Sequence, residues 1–225
     1  MSHASLVIVD YGVGNLNSLI RSVRQFTEAV VVSEEPEVIR AAAGIILPGV
    51  GAFAAGMRGL ERRGLTSLIR ELALSNRPLL GICLGAQLLL TEGHEFGIHS
   101  GLGVIPGKVV HFPPLPEKEK VPHIGWNSIR PPAPDAWTNT ILAPVAPGTQ
   151  VYFVHSYILE PADSVAVFAL TTYGGYQFCA AIRRGNIYGT QFHPEKSGPV
   201  GQAIIKQFVA LVKQQNEAVK IVITS

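Results

Sequence analysis

The chain has 225 residues, of which 47% are apolar and 15% charged, with a formal net charge of +2. That length supports a two-sided hydrophobic core, that apolar content excludes a disordered chain, and the near-neutral balance leaves no electrostatic footprint for nucleic acid or an anionic membrane. Two cysteines, Cys83 and Cys179, are too few for a disulfide framework and fit a reducing, cytoplasmic setting.

The start of the chain lacks a basic n-region, and its apolar run is strand-length, so no signal peptide is expected. Leu6–Asp10 reads as a strand, followed by the glycine-bearing loop Tyr11–Asn15, where Asn15 can cap a helix. Leu16, Leu19, Ile20 and Val23 then fall on one helical face. A second strand (Ala29–Val32) leads to a short helix opened by Pro36. A third strand, Gly44–Leu47, runs into the Pro48–Phe53 loop. One or two helices are expected between residues 53 and 75, and Pro78–Ile82 reads as a buried strand. The uncharged run Ala41–Met57 imitates a membrane span, but it is rich in glycine, holds Pro48, and is shorter than the roughly 20 residues a spanning helix needs.

Alternating helices and uniformly apolar strands predict an α/β fold: an open, mostly parallel, flavodoxin-like sheet flanked by helices. Ligand sites in such sheets lie beyond the carboxyl ends of the strands. After residue 100 the rhythm changes. Leu102–Phe112, Val121–Ile129, Gln150–Tyr157, Val165–Thr171, Gln177–Arg183 and Asn186–Phe192 read as additional, antiparallel strands of the C-terminal half. A last helix is expected over about 199–215, and Lys220–Ser225 looks strand-like within a possible tail, 217–225.

The chemistry concentrates at Gly81-Ile82-Cys83-Leu84-Gly85, a Gly-x-Cys-x-Gly turn between strand and helix. This is the arrangement of a nucleophile elbow, with sulfur in place of a hydroxyl oxygen. Backbone N–H groups at the helix start favour a thiolate and a nearby oxyanion. The plainer reading is a core cysteine. A nucleophile needs a base, and the base an orienting group. Of the seven histidines (His3, His94, His99, His111, His123, His155 and His193), His193 stands out because it opens His193-Pro194-Glu195. In an extended stretch the side chains of His193 and Glu195 share one side, so the carboxylate can select the imidazole tautomer. Gln87 lies one helical turn after Cys83. The Leu84 N–H is one natural oxyanion donor, and Gly49–Gly51 offers a second. No pair of cysteines or histidines has zinc-like spacing, so no metal is expected. Cys179, inside a strand, reads as a packing residue.

Gly81–Gln87 together with Gln191-Phe192-His193-Pro194-Glu195 resembles the class I, triad-type glutamine amidotransferases. Asp10–Leu16, Leu47–Phe53, Pro122–Asn127, Tyr152–Tyr157 and Gly189–Ser197 are similar to the branch of that family serving histidine biosynthesis, over about residues 5–212. The resemblance implies one such domain over 1–225, without a cofactor. It implies that Cys83 attacks the side-chain amide of L-glutamine to give a thioester and ammonia, with His193 moving the proton and Glu195 orienting it. Gly51, Gln87, Glu95, Ser156 and Tyr157 would hold glutamine, and the backbone of Val50 or Gly51 and of Leu84 the oxyanion. The implied partner is a (β/α)8-barrel cyclase in a heterodimer, docked near Asn15, His123, Trp126 and Asn127, without which activity would be weak. Alternatives are a glutaminase serving another synthase, a cysteine hydrolase on a similar fold, and a non-catalytic subunit.

Overall fold

The computed structural model describes residues 6–14 and 16–224, with the backbone alone from 218. The first half alternates as expected: β1 (Leu6–Val9), α1 (Leu16–Arg24), β2 (Val30–Ser33), α2 (Pro36–Arg40), β3 (Gly44–Leu47), α3 (Phe53–Arg62), α4 (Leu65–Leu74), β4 (Leu79–Ile82) and α5 (Leu84–Leu88). The second half is strand-rich: β5 (Glu92–Gly93), β6 (His99–Ser100), β7 (Gly107–His111), β8 (His123–Ser128), β9 (Gln150–His155), β10 (Tyr157–Pro161), β11 (Val167–Tyr173), β12 (Tyr176–Arg184) and β13 (Ile187–Thr190). A 3₁₀ turn (Pro194–Lys196) and α6 (Gly198–Thr224) complete it. Asn15, expected to cap α1 and to face a partner, lies outside the described residues.

The main sheet has the order β2-β1-β3-β4-β13-β12-β10-β7-β5-β6, with β11 beside β12. Strands β2 through β13 in that order are parallel. From β13 to β7 the neighbours are antiparallel. Strands β1, β3, β4 and β13 are buried at every residue, because side chains of both faces meet helices. Leu6, Ile8, Ile46, Leu80 and Ile82 share one core with Leu19 and Val23 of α1 and Ile204, Ile205, Phe208 and Val212 of α6. Val7, Val9, Ile45, Leu47 and Leu79 share the other with Ile39, Leu60, Leu65, Leu68 and Ile69 of α2–α4. The apolar strands are uninterrupted for this reason.

Three expectations need correction. Of the Lys220–Ser225 stretch, expected to be strand-like, Ser225 lies outside the described residues and the rest is helical: α6 runs to Thr224. No glycine or proline comes after Gly201, and the Gln214–Lys220 run is mostly of good helix formers. Leu102–Ile105 is not strand either; its N–H groups cap the end of α5, bonding to the carbonyls of Leu88, Leu89 and Leu90. The Gln150–Tyr157 run divides at Ser156, because β9 pairs with β8 in a separate ribbon while β10 joins the main sheet. Ser156 thus sits at a seam between two sheets. Among the described residues, no helix is long and apolar enough to cross a membrane.

The elbow glycines act by making room. A Cβ on Gly85 would run into the Leu47 carbonyl, and one on Gly81 into the backbone of Gly85 and Ala86. Gly85→Ala is therefore expected to cost at least about 2 kcal/mol, a fall in Tm of at least about 5 °C by calorimetry. Gly103→Ala is the control: it adopts φ 62° but has nothing within 4 Å, so only the left-handed backbone penalty of about 1–2 kcal/mol applies.

Candidate active site

Cys83 comes directly after β4. Its N–H donates to the Thr190 carbonyl of β13 at 2.7 Å, and its own carbonyl accepts from the Gln87 N–H at 3.1 Å. The residue holds φ 51° and ψ −107°, outside the regions an L-residue ordinarily occupies. Such strain persists only where surrounding structure over-determines it. The buried sulfur lies 3.8 Å from the Val154 carbonyl and 3.7 Å from Gln191 Nε2.

His193 is placed beyond the end of β13 by two clips to β9. Its N–H donates to the Tyr152 carbonyl at 2.9 Å. The Ser197 hydroxyl donates to the His193 carbonyl at 2.7 Å and accepts from the Tyr152 N–H at 3.0 Å. Glu195 Oε1 lies 2.7 Å from His193 Nδ1. The two side chains pair as the sequence indicates, but by a different geometry, since Pro194–Lys196 is a 3₁₀ turn rather than an extended stretch. Burial disfavours the charged ring. The Cys83 sulfur and the Glu195 carboxylate together outweigh that and push its pKa up to about 9. Nε2 is buried without a hydrogen bond of good geometry. Sulfur and ring are thus near without being joined, the loose geometry from which catalytic bonds tighten.

A cleft of about 240 Å³ opens at the sulfur, lined by Val50, Gly51, Cys83, Gln87, Glu95, Val154, His155, Ser156 and Tyr157. All five residues expected to hold a substrate meet here. Val154 and His155 also line the cleft and Gln191 reaches the sulfur; the sequence marks these three only as members of the Tyr152–Tyr157 and Gln191–Glu195 runs. A larger hollow of about 880 Å³ beside Pro132, Val165 and Arg183 shares no residue with the cleft and holds no cysteine or histidine. Among the described residues no cluster of three His, Cys, Asp or Glu could hold a metal ion.

Several of these groups are already engaged. Glu95 Oε2 accepts from the Phe53 N–H at 2.6 Å. It thereby caps α3, whose own N-cap residue, Ala52, has no side chain able to do so. One carboxylate oxygen remains. Gln87 uses both Nε2 hydrogens, on the Tyr157 carbonyl (3.3 Å) and Gln191 Oε1 (3.1 Å), so only its amide oxygen is available to a ligand. The Leu84 N–H, expected to face an oxyanion, donates to the Gly49 carbonyl at 3.4 Å. The loop carrying that carbonyl is seated on Tyr11, whose buried hydroxyl donates to the Pro48 carbonyl.

Strand β8 alternates between its faces. Ile124 and Trp126 point outward, 59% and 52% exposed, with Trp126 edge-on to Tyr152. His123, expected at a partner surface, is instead only 2% exposed and stacked on Phe153 and Tyr173. The period of two sends it inward. Asn127 Nδ2 donates to the Thr172 carbonyl at 2.7 Å and its Oδ1 accepts from the Ser128 N–H, bracing β8 against β11. Cys179 is a packing residue whose thiol burial pushes up to about 12.

The raised pKa of His193 has a consequence for stability. A ring whose folded pKa is raised contributes fully below its ordinary value of 6.5 and loses that contribution as pH rises through about 9. Tm measured against pH should therefore fall across that interval. In Glu195→Gln, which removes one of the two groups holding the charge, the fall should end at lower pH and be smaller. An alkaline limb identical in both proteins would contradict this.

Residues 7–212 match the family described as glutamine amidotransferase class-I. A Moorella thermoacetica protein named imidazole glycerol phosphate synthase subunit HisH is 45% identical over 213 residues, 95% of this chain and 98% of its own length. One of the same name from Geobacter sulfurreducens is 47% identical, over 90% and 97%. Among solved structures, PurLQS from Thermotoga maritima gives a TM-score of 0.67 at 16% identity, over 92% of this chain and 98% of that one. The glutaminase domain of Trypanosoma brucei CTPS, with bound acivicin, gives 0.62 at 15% identity, over 93% of each. At those identities the likeness is one of fold. Family match and near full-length identity lead to one conclusion: the chain belongs to the class I glutamine amidotransferase family.

Proposed function

We propose that the protein is the glutaminase subunit of imidazole glycerol phosphate synthase. It hydrolyses L-glutamine to glutamate and ammonia and hands the ammonia to a (β/α)8-barrel cyclase in histidine biosynthesis. The observation carrying this reading is that Cys83, in the wall of the cleft, has the paired His193 and Glu195 on the ring side of its sulfur, in a chain 45% identical along nearly its whole length to a HisH subunit. The functional unit spans residues 1–225, and its two unpaired cysteines suit the cytoplasm.

In this mechanism Cys83 Sγ attacks the side-chain carbonyl carbon of glutamine while its proton passes to His193 Nε2. Glu195 holds the Nδ1–H and stabilises the imidazolium. His193 then protonates the leaving nitrogen, releasing ammonia and a glutamyl thioester. A water deprotonated by His193 attacks that thioester, and Cys83 leaves with the returned proton. The free oxygen of Glu95 accepts from the substrate's α-ammonium. The Gln87 amide oxygen accepts from a substrate N–H. Gly51, where nothing lies within 4 Å of a Cβ position, lets the substrate lie against the backbone, with Ser156 and Tyr157 as the opposite wall.

The oxyanion needs backbone donors from Val50 or Gly51 and from Leu84. With the Leu84 N–H bonded to the Gly49 carbonyl, that donor is engaged. Turning the Gly49–Val50 peptide would free it and bring the Val50 N–H round at the same time. This supports weak activity alone and activation on docking. Ammonia in neutral water is mostly protonated and a poor nucleophile, so direct transfer to a partner is chemically sensible. The exposed apolar groups Val50, Ile124 and Trp126 suit the docking face.

Glutamate release should rise when the histidine-pathway cyclase and its ligand are added to the protein; no activation by that cyclase would sink the assignment. Cys83→Ala should lower glutamine-driven turnover at least about a thousandfold, while the complex still works with added ammonia. Trp126→Ala should raise the Kd for the cyclase by about thirtyfold, the loss of a hot spot of about 2 kcal/mol. An unchanged Kd would remove Trp126 from the interface.

A further inference from the structure

A backbone carbonyl can only accept hydrogen bonds, and two side chains aim donors at the carbonyl of Tyr157. Gln87 Nε2 lies at 3.3 Å and His155 Nδ1 at 2.8 Å. The first contact fixes which end of the Gln87 amide is nitrogen. Its second hydrogen goes to Gln191 at 3.1 Å, so the atom it meets there must be the Gln191 oxygen. The other end of that amide, its NH₂ group, is then the end that lies 3.7 Å from Cys83 Sγ. Gln191 is fully buried, so no water can exchange for either partner.

The second contact orients a matching arm. His155 and His123 are held neutral by burial, with pKa values lowered to about 3 and about 4. A neutral ring donating from Nδ1 leaves Nε2 as an acceptor. His155 Nε2 therefore accepts from His123 Nδ1 at 3.1 Å. Two arms of donors therefore meet at the Tyr157 carbonyl: one runs from His123, at the start of strand β8, through His155 to that carbonyl, and Gln87 donates both to it and to Gln191, which donates to the sulfur.

We propose that Gln191 donates an N–H to the Cys83 sulfur and stabilises its thiolate, in an orientation that the Tyr157 carbonyl imposes through Gln87. Gln87 is a positioning residue in this arrangement, and the histidine arm holds the carbonyl in place from the β8 side. The proposal rests on the reading of Cys83 as the nucleophile. It adds a donor for the sulfur itself, separate from the oxyanion donors.

The test is the rate of Cys83 alkylation by iodoacetamide from about pH 5 to about pH 10, monitored by mass spectrometry. Cys179, with its pKa pushed up to about 12, stays silent over most of that range. Because a hydrogen bond to a charged group is lost, the half-maximal pH in Gln191→Met should rise by about one to two units. In Gln191→Glu, where a carboxylate oxygen replaces the donor, it should rise further. Gln191→Glu keeps the acceptor for Gln87, so it carries the test if Gln191→Met does not fold. Folded variants with the wild-type profile would overturn the proposal. In the wild-type protein, imidazole ¹⁵N shifts at neutral pH should show His155 and His123 both as neutral Nδ1–H tautomers; an Nε2–H tautomer at His155 would overturn the direction of the histidine arm. Wild-type protein that releases no glutamate even with the cyclase would remove the underlying reading. Wild-type activity with unmoved variant profiles would remove only the role of Gln191.

Discussion

The site depends on the parallel pairing of β4 with β13. In register, Leu79 to Ile82 lie beside Ile187 to Thr190, and the last rung is the Cys83 N–H on the Thr190 carbonyl. Because the strands run the same way, the chain leaving Ile82 must emerge beside the chain leaving Thr190. The proposed nucleophile and its base, far apart in sequence, are thus delivered to one edge of the sheet by the strand pairing. Strand β4 has no freedom to slip, since β3 holds its other side and both of its faces are buried. A one-residue shift would exchange the two cores.

That rigidity sustains the strain at the elbow. A non-glycine residue at positive φ costs on the order of 1–3 kcal/mol, and here Cys83 bears it while its glycine neighbours do not. Gly81 and Gly85 let α5 lie against the carboxyl ends of β3 and β4, which brings the first turn of α5 against the Pro48–Val50 loop. The Leu84 N–H meets the Gly49 carbonyl because of that approach. The closeness that builds the elbow also engages one of its candidate donors, and a peptide rotation is a small motion by which docking could reverse this.

The β8–β9 ribbon joins surface to cleft. Its outward residues, Ile124 and Trp126, are available to a partner, while inward His123 reaches His155 in the cleft wall. Ser197 ties the same ribbon to the His193 turn. A displacement of β8 on docking would therefore be felt at both the base and the Tyr157 carbonyl.

Much of the fold and of the candidate site is legible in the sequence. The uninterrupted apolar strands reveal a sheet buried on both faces, and Gly81–Gly85 with His193-Pro194-Glu195 reveal the chemistry, because turns and extended segments are local and their residues lie within a few positions of one another. It did not disclose where Gln150–Tyr157 divides, which face of β8 His123 occupies, or that Leu102–Ile105 caps a helix. Each of those is set by which distant strand or helix end competes for the same backbone groups. Lys220–Thr224 reads as strand by its β-branched residues yet continues a helix, since no breaker stops α6. The use of Gln191 lay hidden for the same reason. Its type and place in the motif are local facts, but the direction of its amide is decided by one carbonyl, that of Tyr157, which only the folded chain brings within reach.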